Sequence, residues 1–449
     1  MTNPCRRRLE DCSGASGERF RVRIPVSAWL LASVIGVLVP PPPAQAQANA
    51  ATSPAEAACK ATANWIDVKS GNAVQGDTLF RDVVAKNAIV VLGESHTDAD
   101  HHRWQLQTLA GLYGHNGKMA IGFEAFPRRL QGVLDDWIAG KLTADAFLKV
   151  SDWRRVWGYD AALYMPMFQF ARINRIPMIA LNVERTLVSK VGRDGWASVA
   201  DGEREGLTKP AAAAVGYQRD LAKVYQMKKL MAAAQPGGAI DPASAPEGAD
   251  IDLDDKTFAD ILREPEFQRF VDAQQTWDRA MAEALAAGQR KFPGATIVGI
   301  AGAGHVEGGY GIPHQLKDLG VAEVASFIPA GTDEACKLVG TGYADAMFTL
   351  APTSDAAPER PRLGVLLADG EGGGARIEQV VPKSVAETTG LKAGDNIVRA
   401  AGLEMRNSGD VVDVVAVQAP GTWLPLAVRR DGQEIEMIAK FPPRPRQEP

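Results

Sequence analysis

The stretch AIVVLGESH, residues 88–96, determines how the rest of this 449-residue chain is organised. It opens with an apolar run that is rich in β-branched residues, has the length of a buried strand and ends at Gly93. Glu94 and His96 follow where the strand passes into a loop. Because ligands of open α/β sheets bind at the carboxyl ends of parallel strands, this stretch predicts a functional site.

Two later apolar segments end in the same way. Residues 118–126, KMAIGFEAF, deliver a glutamate, and residues 295–305, ATIVGIAGAGH, deliver a histidine. If the three strands lie side by side, four side chains converge: Glu94, His96, Glu124 and His305. Such groups suit Zn, Fe or Mn, and they can also act as general acid and base. Taken alone, Glu94 and His96 could merely hydrogen-bond the loop backbone, and Glu124 could pair with Arg128 or Arg103, so the prediction depends on the convergence of all four.

Composition and charge set broad limits. The length and the 46% hydrophobic content predict two or three domains. The net charge of -5 is mild for this length, which argues against a nucleic-acid partner. The glycines before His305 lack the last glycine of a dinucleotide fingerprint, because Glu307 stands in its place, and no G-x-S-x-G nucleophile is present.

The N-terminus has the pattern of a secretory signal. Arginines precede an apolar run at residues 26–39, and a small-x-small cleavage pattern follows at residues 44–46. We therefore expect residues 1–46 to be a signal peptide and the mature chain to be periplasmic or secreted, without a lipobox; an uncleaved anchor is the less favoured alternative. Cys59 and Cys336 would remain, and a disulfide and two unrelated thiols are equally open.

Between these strands the pattern is mainly helical. The predicted helices open at residue 97 and cover residues 130–138, 218–234 and 255–288; further strands are predicted at residues 175–181 and 321–328. Pro265 should break the last helix and Gly288 should end it. Residues 235–255 are typical of a surface loop. The aromatic-dense segment at residues 151–170 indicates either core packing or the wall of an apolar pocket. We interpret His101, His102, His115 and His314 as surface or cap residues.

The C-terminal part has a different pattern. Residues 351–361 have the composition of a linker. After it, short strands are predicted at residues 363–368, 375–380, 396–400, 424–430 and 434–440. Gly- and Pro-containing joints separate them, which favours a small, partly open β-barrel.

Several separated motifs of the first domain resemble the ChaN family of haem-binding, iron-regulated proteins. They are LGESH, DADHHRWQLQTL, GFEAF, YMPMFQFAR, ALNVER, AQQTWDRAMAEAL and AGAGHV. That family belongs to a superfamily with the TIKI proteases and erythromycin esterases. The resemblance implies that residues 60–340 form an α/β domain, with a mostly parallel sheet, flanking helices and a helical subdomain. It also implies haem in an apolar pocket, sometimes between two protomers, so a homodimer is a further expectation.

The resemblance also implies roles for individual residues. Glu94, His96, Glu124 and His305 fall on the superfamily's motif positions, as metal ligands or, in a hydrolase, as catalytic groups. The candidates for contact with a cofactor are Gln105, Tyr159, Tyr164, Asn182 and Tyr310. The axial ligand of a haem stays open among the tyrosines and the histidines.

Residues 362–442 resemble a bacterial PDZ domain. Leu363, Gly364 and Val365 match the carboxylate-binding loop, and the sequence GLKAGD at residues 390–395 matches a second PDZ turn. Successive backbone N–H groups of such a loop bind a terminal carboxylate while the adjacent strand edge pairs with the peptide. The expected partner is the C-terminus of a protein or peptide.

These patterns together predict an exported haem- or iron-binding protein for haem uptake or handling, with a PDZ module for recruitment. The expected cofactor is haem, or otherwise a divalent transition metal. The alternative is a metal-dependent hydrolase or protease that uses the Glu/His cluster. A third hypothesis is a catalytically silent scaffold that works through its PDZ domain. The sequence leaves open whether the chain is an enzyme.

Overall fold

The computed structural model describes residues 53–234, 252–351 and 361–443. The predicted signal peptide lies outside the described residues, as do residues 235–251 of the predicted surface loop and residues 352–360 of the predicted linker. Among the helices of the described ranges, none combines the length and the apolar character needed to cross a membrane.

An eight-stranded sheet organises the first domain. Its strands are β1 (Trp65–Asp67), β2 (Ala73–Val74), β3 (Ile89–Glu94), β4 (Met119–Pro127), β5 (Met178–Asn182), β6 (Thr296–Gly302), β7 (Val324–Gly331) and β8 (Ala346–Leu350). Their order is β2-β1-β8-β7-β3-β6-β4-β5. Strands β3 to β8 run parallel, whereas β1 is antiparallel to β2 and β8. The predicted mostly parallel α/β fold is confirmed.

Helices cover both faces of this sheet. They are α1 (Pro54–Lys60), α2 (Gly76–Ala85), α3 (Ala99–His115), α4 (Gln131–Ile138), α5 (Ala144–Val150), α6 (Trp153–Val156), α7 (Ala161–Ile173), α8 (Arg185–Asp194), α9 (Val215–Ala234), α10 (Asp255–Ile261), α11 (Pro265–Lys291), α12 (Ile312–Asp318) and α13 (Thr332–Leu338). Helices α3, α4, α5 and α7 share one apolar core with the sheet. Helices α8, α11 and α12 share a second core with the opposite face.

The chain around β3 folds as its sequence dictates. Val90 and Leu92 face the core under α3, and Ile89 and Val91 face the other core, because successive strand residues alternate between faces. Helix α3 then begins after Asp98, whose carboxylate accepts hydrogen bonds from the first free backbone N–H groups of the helix. This cap fixes the short loop that holds His96.

Two features differ from expectation, and one open question is answered. Pro265 opens α11 as predicted, but the helix runs through Gly288 to Lys291. Close packing requires glycine at position 288, because a Cβ would lie 2.5 Å from a methyl carbon of Ile179. The sheet also continues through β8 to Leu350, beyond the expected domain end at residue 340, since β8 pairs with β7 and β1. The open question about the cysteines is answered by a disulfide between Cys59 and Cys336, which joins α1 to α13.

The C-terminal domain is an antiparallel six-stranded sheet. Its strands are β9 (Val365–Asp369), β10 (Ala375–Val380), β11 (Asn396–Ala400), β12 (Leu403–Glu404), β13 (Trp423–Arg430) and β14 (Gln433–Lys440). Their order is β14-β13-β11-β10-β9, with β12 paired to β11. Two helices, α14 (Val385–Thr389) and α15 (Ser408–Ala416), were not predicted. The expected small β-domain is confirmed, and β9 lies at its edge.

Candidate functional site

The three strands that the sequence predicted to share a site are direct neighbours. Strand β6 lies between β3 and β4, and Glu94 is in register with Gly302. Because side chains alternate between the two faces of a strand, Glu94 points to the same face as Leu92, towards α3. Glu124 points to the opposite face, towards α11. The candidate side chains therefore meet at one carboxyl edge but divide between two faces of the sheet.

The first group, which we call the aromatic half, consists of Glu94, His96, Trp157, Tyr159 and Tyr164. Glu94 is only 1% exposed. Its Oε1 accepts a hydrogen bond of 2.8 Å from Nδ1 of His96 and one of 2.5 Å from the hydroxyl of Tyr164. The carboxylate thus fixes both the imidazole and the phenol.

The charge of Glu94 is stabilised by its neighbours. Burial pushes its pKa upward, but the hydrogen bond from His96 and the nearby His102 outweigh that effect, so the pKa lies below its usual value. Burial and the adjacent Glu94 raise the pKa of Tyr164 well above its ordinary value. At neutral pH the aromatic half therefore holds a buried carboxylate beside a neutral phenol.

Aromatic rings enclose His96. The ring centroids of Trp157 and Tyr159 each lie 4.8 Å from that of His96. Deeper in the same segment, Trp153 and Phe168 pack around Tyr164 and belong to the core under α3 and α7. Most of this aromatic-dense segment is therefore core, and its Trp157–Tyr159 end lies beside an imidazole; the apolar pocket stays a prediction.

The second group, which we call the His305 half, consists of Glu124, His305, Asp278 and Tyr217. Glu124 Oε1 lies 3.6 Å from Nε2 of His305. On the other side of the ring, Nδ1 of His305 is 2.6 Å from Oδ1 of Asp278. The hydroxyl of Tyr217 donates a 2.7 Å hydrogen bond to Oδ2 of the same aspartate. The ring of His305 thus lies between two carboxylates.

This environment makes His305 strongly basic. Burial lowers its pKa, but Glu124 and Asp278 outweigh that effect and raise the pKa to about 9. Burial and Asp278 also raise the pKa of Tyr217 well above its ordinary value. His305 is therefore an imidazolium at neutral pH, and the neutral phenol of Tyr217 supports its aspartate.

Gly302 joins the two halves. Its backbone N–H donates a 2.7 Å hydrogen bond to Oε2 of Glu124. A Cβ on this residue would lie 2.9 Å from both Cε1 and Nε2 of His96. Only a glycine lets the imidazole of one half approach the strand that carries the other half.

Three predicted cofactor contacts lie outside the aromatic half. Asn182 donates to the carbonyl oxygen of Glu124 and accepts from the N–H of Val183, so it fixes the ends of β4 and β5. Gln105 is fully buried on α3. Tyr310 stacks on Tyr217 at 6.2 Å between centroids. Of the five cofactor candidates, only Tyr159 and Tyr164 belong to the aromatic half.

The geometry gives little support to a metal set. Within the part of the chain that the structure describes, no group of three or more His, Cys, Asp or Glu side chains is arranged to hold an ion. The carboxylates are turned to their own partners, Glu94 to His96 and Tyr164, and Glu124 to Gly302. The metal-ligand role of Glu94, His96, Glu124 and His305 stays a prediction.

Three residues of the site were missed from the sequence. His102, interpreted as a surface or cap residue, is 3% exposed, and its Nδ1 lies 3.4 Å from Oε2 of Glu94. Asp278 and Tyr217 were not singled out at all. A charged residue within the apolar stripe of α11 was the available signal for Asp278, whereas the partnership with Tyr217 spans 61 residues and depends on the tertiary fold.

The predicted carboxylate loop of the second domain has a defined geometry. The carbonyl oxygens of Leu363 and Gly364 accept hydrogen bonds from the N–H groups of Ala386 and Val381. Gly364 has a φ of +80°, and a Cβ there would lie 2.2 Å from that of Ser384. The loop therefore requires glycine and leads directly into β9, which has no strand partner on its outer side within the described sheet.

The fold and the site define a two-domain protein, in which an α/β domain with Glu/His pairs at its sheet edge precedes a β-domain with a glycine-containing loop. The sequence matches the family described as haem-binding uptake, Tiki superfamily, ChaN, over residues 80–316, more than half of the chain. The chain belongs to this family. Residues 361–440 match the PDZ domain, so both resemblances expected from the sequence are confirmed.

Solved structures resemble the two domains separately. One, titled "Cofacial heme binding to ChaN of Campylobacter jejuni", is 14% identical with a TM-score of 0.42, and the match covers 63% of this chain and 95% of that chain. The HtrA3 PDZ domain bound to a phage-derived ligand (FGRWV) is 22% identical with a TM-score of 0.16, over 18% of this chain and 82% of that chain.

One curated relative also matches. Serine protease HTRA1 of Xenopus tropicalis is 42% identical over 62 residues, which are 14% of this chain. The matched part spans 13% of that relative's length. The similarity therefore concerns a small part of both proteins.

Proposed function

We propose that this chain binds haem at the aromatic half of its sheet edge, as an exported protein of haem uptake or handling. The observation that carries the proposal is the setting of His96, which is fixed by Glu94 at 2.8 Å and flanked by the rings of Trp157 and Tyr159. The family's description as haem-binding uptake proteins supports it.

The residues present fit a haem. Imidazole and phenolate are both axial ligands of haem iron, and flat aromatic rings pack well against a flat apolar ligand. His96 and Tyr159 are partly exposed, whereas Tyr164 is buried and hydrogen-bonded to Glu94. His96 or Tyr159 would therefore hold the iron, and Tyr164 would orient Glu94. A bound haem would supply the redox-active iron.

Glu94 prepares His96 for this role. A carboxylate that accepts from one ring nitrogen fixes the orientation of the ring and makes the other nitrogen a stronger ligand. Because the pKa of Glu94 is held low, this effect persists through the neutral pH range.

Titration of the purified full chain with hemin tests the proposal. Saturable growth of a shifted Soret band is expected, and its absence contradicts haem binding. His96→Ala and Tyr159→Phe identify the ligand, because only the variant that removes it changes the band shape of the complex. The matched controls are His115→Ala, whose ring pairs with Asp77, and Tyr113→Phe, whose ring packs on Phe170. Sedimentation of the chain with and without hemin tests the homodimer that the family resemblance implies.

Export is part of the proposal. The disulfide between Cys59 and Cys336 supports an oxidising compartment, because such bonds persist outside the cytosol. Fractionation of expressing cells should recover a chain that begins after Ala46 or Ala48. Recovery of the full-length chain from the cytosol contradicts this part.

Hydrolysis is the second candidate function. The observation that favours it is the position of His305 between Asp278 and Glu124, which suits an acid/base group. A screen of ester and peptide substrates with added divalent metals tests it. Activity that is lost in His305→Ala supports a hydrolytic role of this histidine, and the absence of activity with every substrate and metal contradicts it.

The PDZ domain is proposed to recruit a partner through that partner's C-terminus. The free edge of β9 can pair with an extended peptide, and the glycine-containing loop can present N–H groups to its carboxylate. Peptides with a free C-terminus should bind the full chain and their amidated copies should not. Equal binding of both forms contradicts carboxylate recognition.

A further inference from the structure

Besides Glu124, one acidic residue, Asp278, and one aromatic residue, Trp277, contact the ring of His305. Asp278, fully buried on α11, directs one carboxylate oxygen to Nδ1 of His305 and the other to the hydroxyl of Tyr217. Trp277 packs on the imidazole with 5.3 Å between ring centroids at an interplanar angle of 62°. Both carboxylate oxygens of Asp278 thus accept a hydrogen bond, one of them from a histidine of the candidate site.

This geometry determines which ring nitrogen can meet a ligand. A carboxylate accepts hydrogen bonds, so the nitrogen that faces it at 2.6 Å carries a proton. Nε2 is then left as the only nitrogen directed to the sheet edge, where Glu124 lies 3.6 Å away. A rotation of the ring by a half turn would lose the bond to Asp278.

The backbone is built closely around this arrangement. A Cβ on Gly311 would lie 2.4 Å from the carbonyl oxygen of His305 and 2.9 Å from Oδ1 of Asp278. The loop after His305 therefore comes close enough to hold both residues only because it has glycine at position 311. The ring of Tyr310 stacks on Tyr217, so it also supports the phenol that holds the aspartate.

We propose that Asp278 and Tyr217 are positioning residues that hold His305 with Nδ1 protonated and Nε2 aimed at the ligand of the site. The proposal rests on the proposed function in that haem is the ligand of the site; the contact of His305 with that ligand is part of this proposal. Neither residue touches the sheet edge directly; both act through His305. Asp278 provides the acceptor, and Tyr217 keeps that acceptor from rotating.

Histidine-selective ¹⁵N NMR of the full chain tests this orientation without any ligand. The His305 signals are assigned by their loss in His305→Ala. In the unmodified chain we expect a hydrogen-bonded Nδ1 proton that exchanges slowly with water. In Asp278→Asn that proton should exchange faster and its shift should change, and Tyr217→Phe should cause a smaller change of the same sign.

A matched control separates positioning from general damage to α11. Asp272→Asn alters an aspartate of the same helix, which accepts from the N–H of Trp196, and it should leave the His305 signals unchanged. An unchanged His305 spectrum in Asp278→Asn overturns the proposal. If Asp278→Asn does not fold, Tyr217→Phe decides: an unchanged spectrum in that variant also overturns it.

Hemin affinity supplies the functional readout. Asp278→Asn should weaken hemin binding by about threefold to tenfold, and Asp272→Asn should not. A changed His305 spectrum with unchanged affinity overturns the role in ligand positioning. If the unmodified chain binds no hemin, the proposed haem function fails, and the NMR spectra alone decide whether Asp278 orients His305.

Discussion

The two halves of the site contain the same pair of residue types in different surroundings. Each half has one glutamate and one histidine, but His96 is flanked by aromatic rings, whereas His305 lies between two carboxylates. In the aromatic half the surroundings stabilise the charged form of the glutamate, whereas in the His305 half two carboxylates stabilise the charged form of the imidazole. The surroundings, rather than the motif residues, therefore determine which group is ready to meet a ligand.

The difference follows from the two faces of the sheet. Glu94 faces the core under α3 and α7, which is built from rings such as Phe168. Glu124 faces the core under α11, a helix that places Asp278 among its apolar residues. A single glycine, Gly302, lets these two environments come together at the edge.

The largest expected effect comes from removing the core of the aromatic half. Phe168 is fully buried and packs against Phe123, Phe147 and Tyr164. Phe168→Ala should lower the free energy of unfolding by about 3–5 kcal/mol, measured by denaturant titration. Phe292→Ala, at a partly buried position, is the control with the smaller loss. If Phe168→Ala lowers the free energy of unfolding by less than Phe292→Ala does, the packed rings do not stabilise this half.

The pH dependence of stability should distinguish the halves. The pKa of His305 is raised from 6.5 to about 9, so its stabilisation is fully present below pH 6.5 and is lost as the pH rises through 9. The full effect is on the order of 3 kcal/mol. Denaturant titrations between pH 6 and 10 should show this loss, and Asp278→Asn should flatten it. Equal slopes in both proteins contradict the role of Asp278.

The aromatic half should respond at the opposite end of the pH scale. The pKa of Glu94 is lowered below 4.5, so its stabilisation is present above that value and is lost as the pH falls through the lower pKa of the folded state. Tyr164→Phe removes one hydrogen bond to this carboxylate and should cost about 1.5–3 kcal/mol at neutral pH, measured by denaturant titration. If Tyr164→Phe is as stable as the unmodified chain at neutral pH and unfolds at the same acid pH, the hydrogen bond from Tyr164 does not stabilise the charge of Glu94.

The junction between the halves should be sensitive to one methyl group. In Gly302→Ala the new Cβ would press on the ring of His96, and overpacking of this kind costs about 1–3 kcal/mol. Hemin affinity should fall with stability, because the displaced ring is one of the two proposed ligands. Gly304→Ala is the matched control, since no heavy atom lies within 4 Å of its Cβ position. Similar behaviour of both variants would show that the halves are not joined at Gly302.

Much of this site could be predicted from the sequence. Apolar strands that end in Glu94, Glu124 and His305 indicated their common edge, because parallel strands end on the same side of a sheet. The division between two faces could not be predicted, because it depends on the register of the strands: Glu94 pairs with Gly302 and Phe123 pairs with Ile300, so Glu124, one residue further on, points to the other face. Asp278 was missed since the spacing along a helix does not reveal which buried residue will face a distant histidine. Gly288 was misinterpreted as a helix end because close packing and helix termination both select glycine.

The most direct test of the central claim compares the hemin affinities of His96→Ala and His305→Ala in the full chain. If haem is held at the aromatic half, His96→Ala should weaken binding by about a hundredfold and His305→Ala by about tenfold or less, measured by absorption titration of the Soret band. A larger loss in His305→Ala, or unchanged affinity in both His96→Ala and Tyr159→Phe, would contradict binding at the aromatic half.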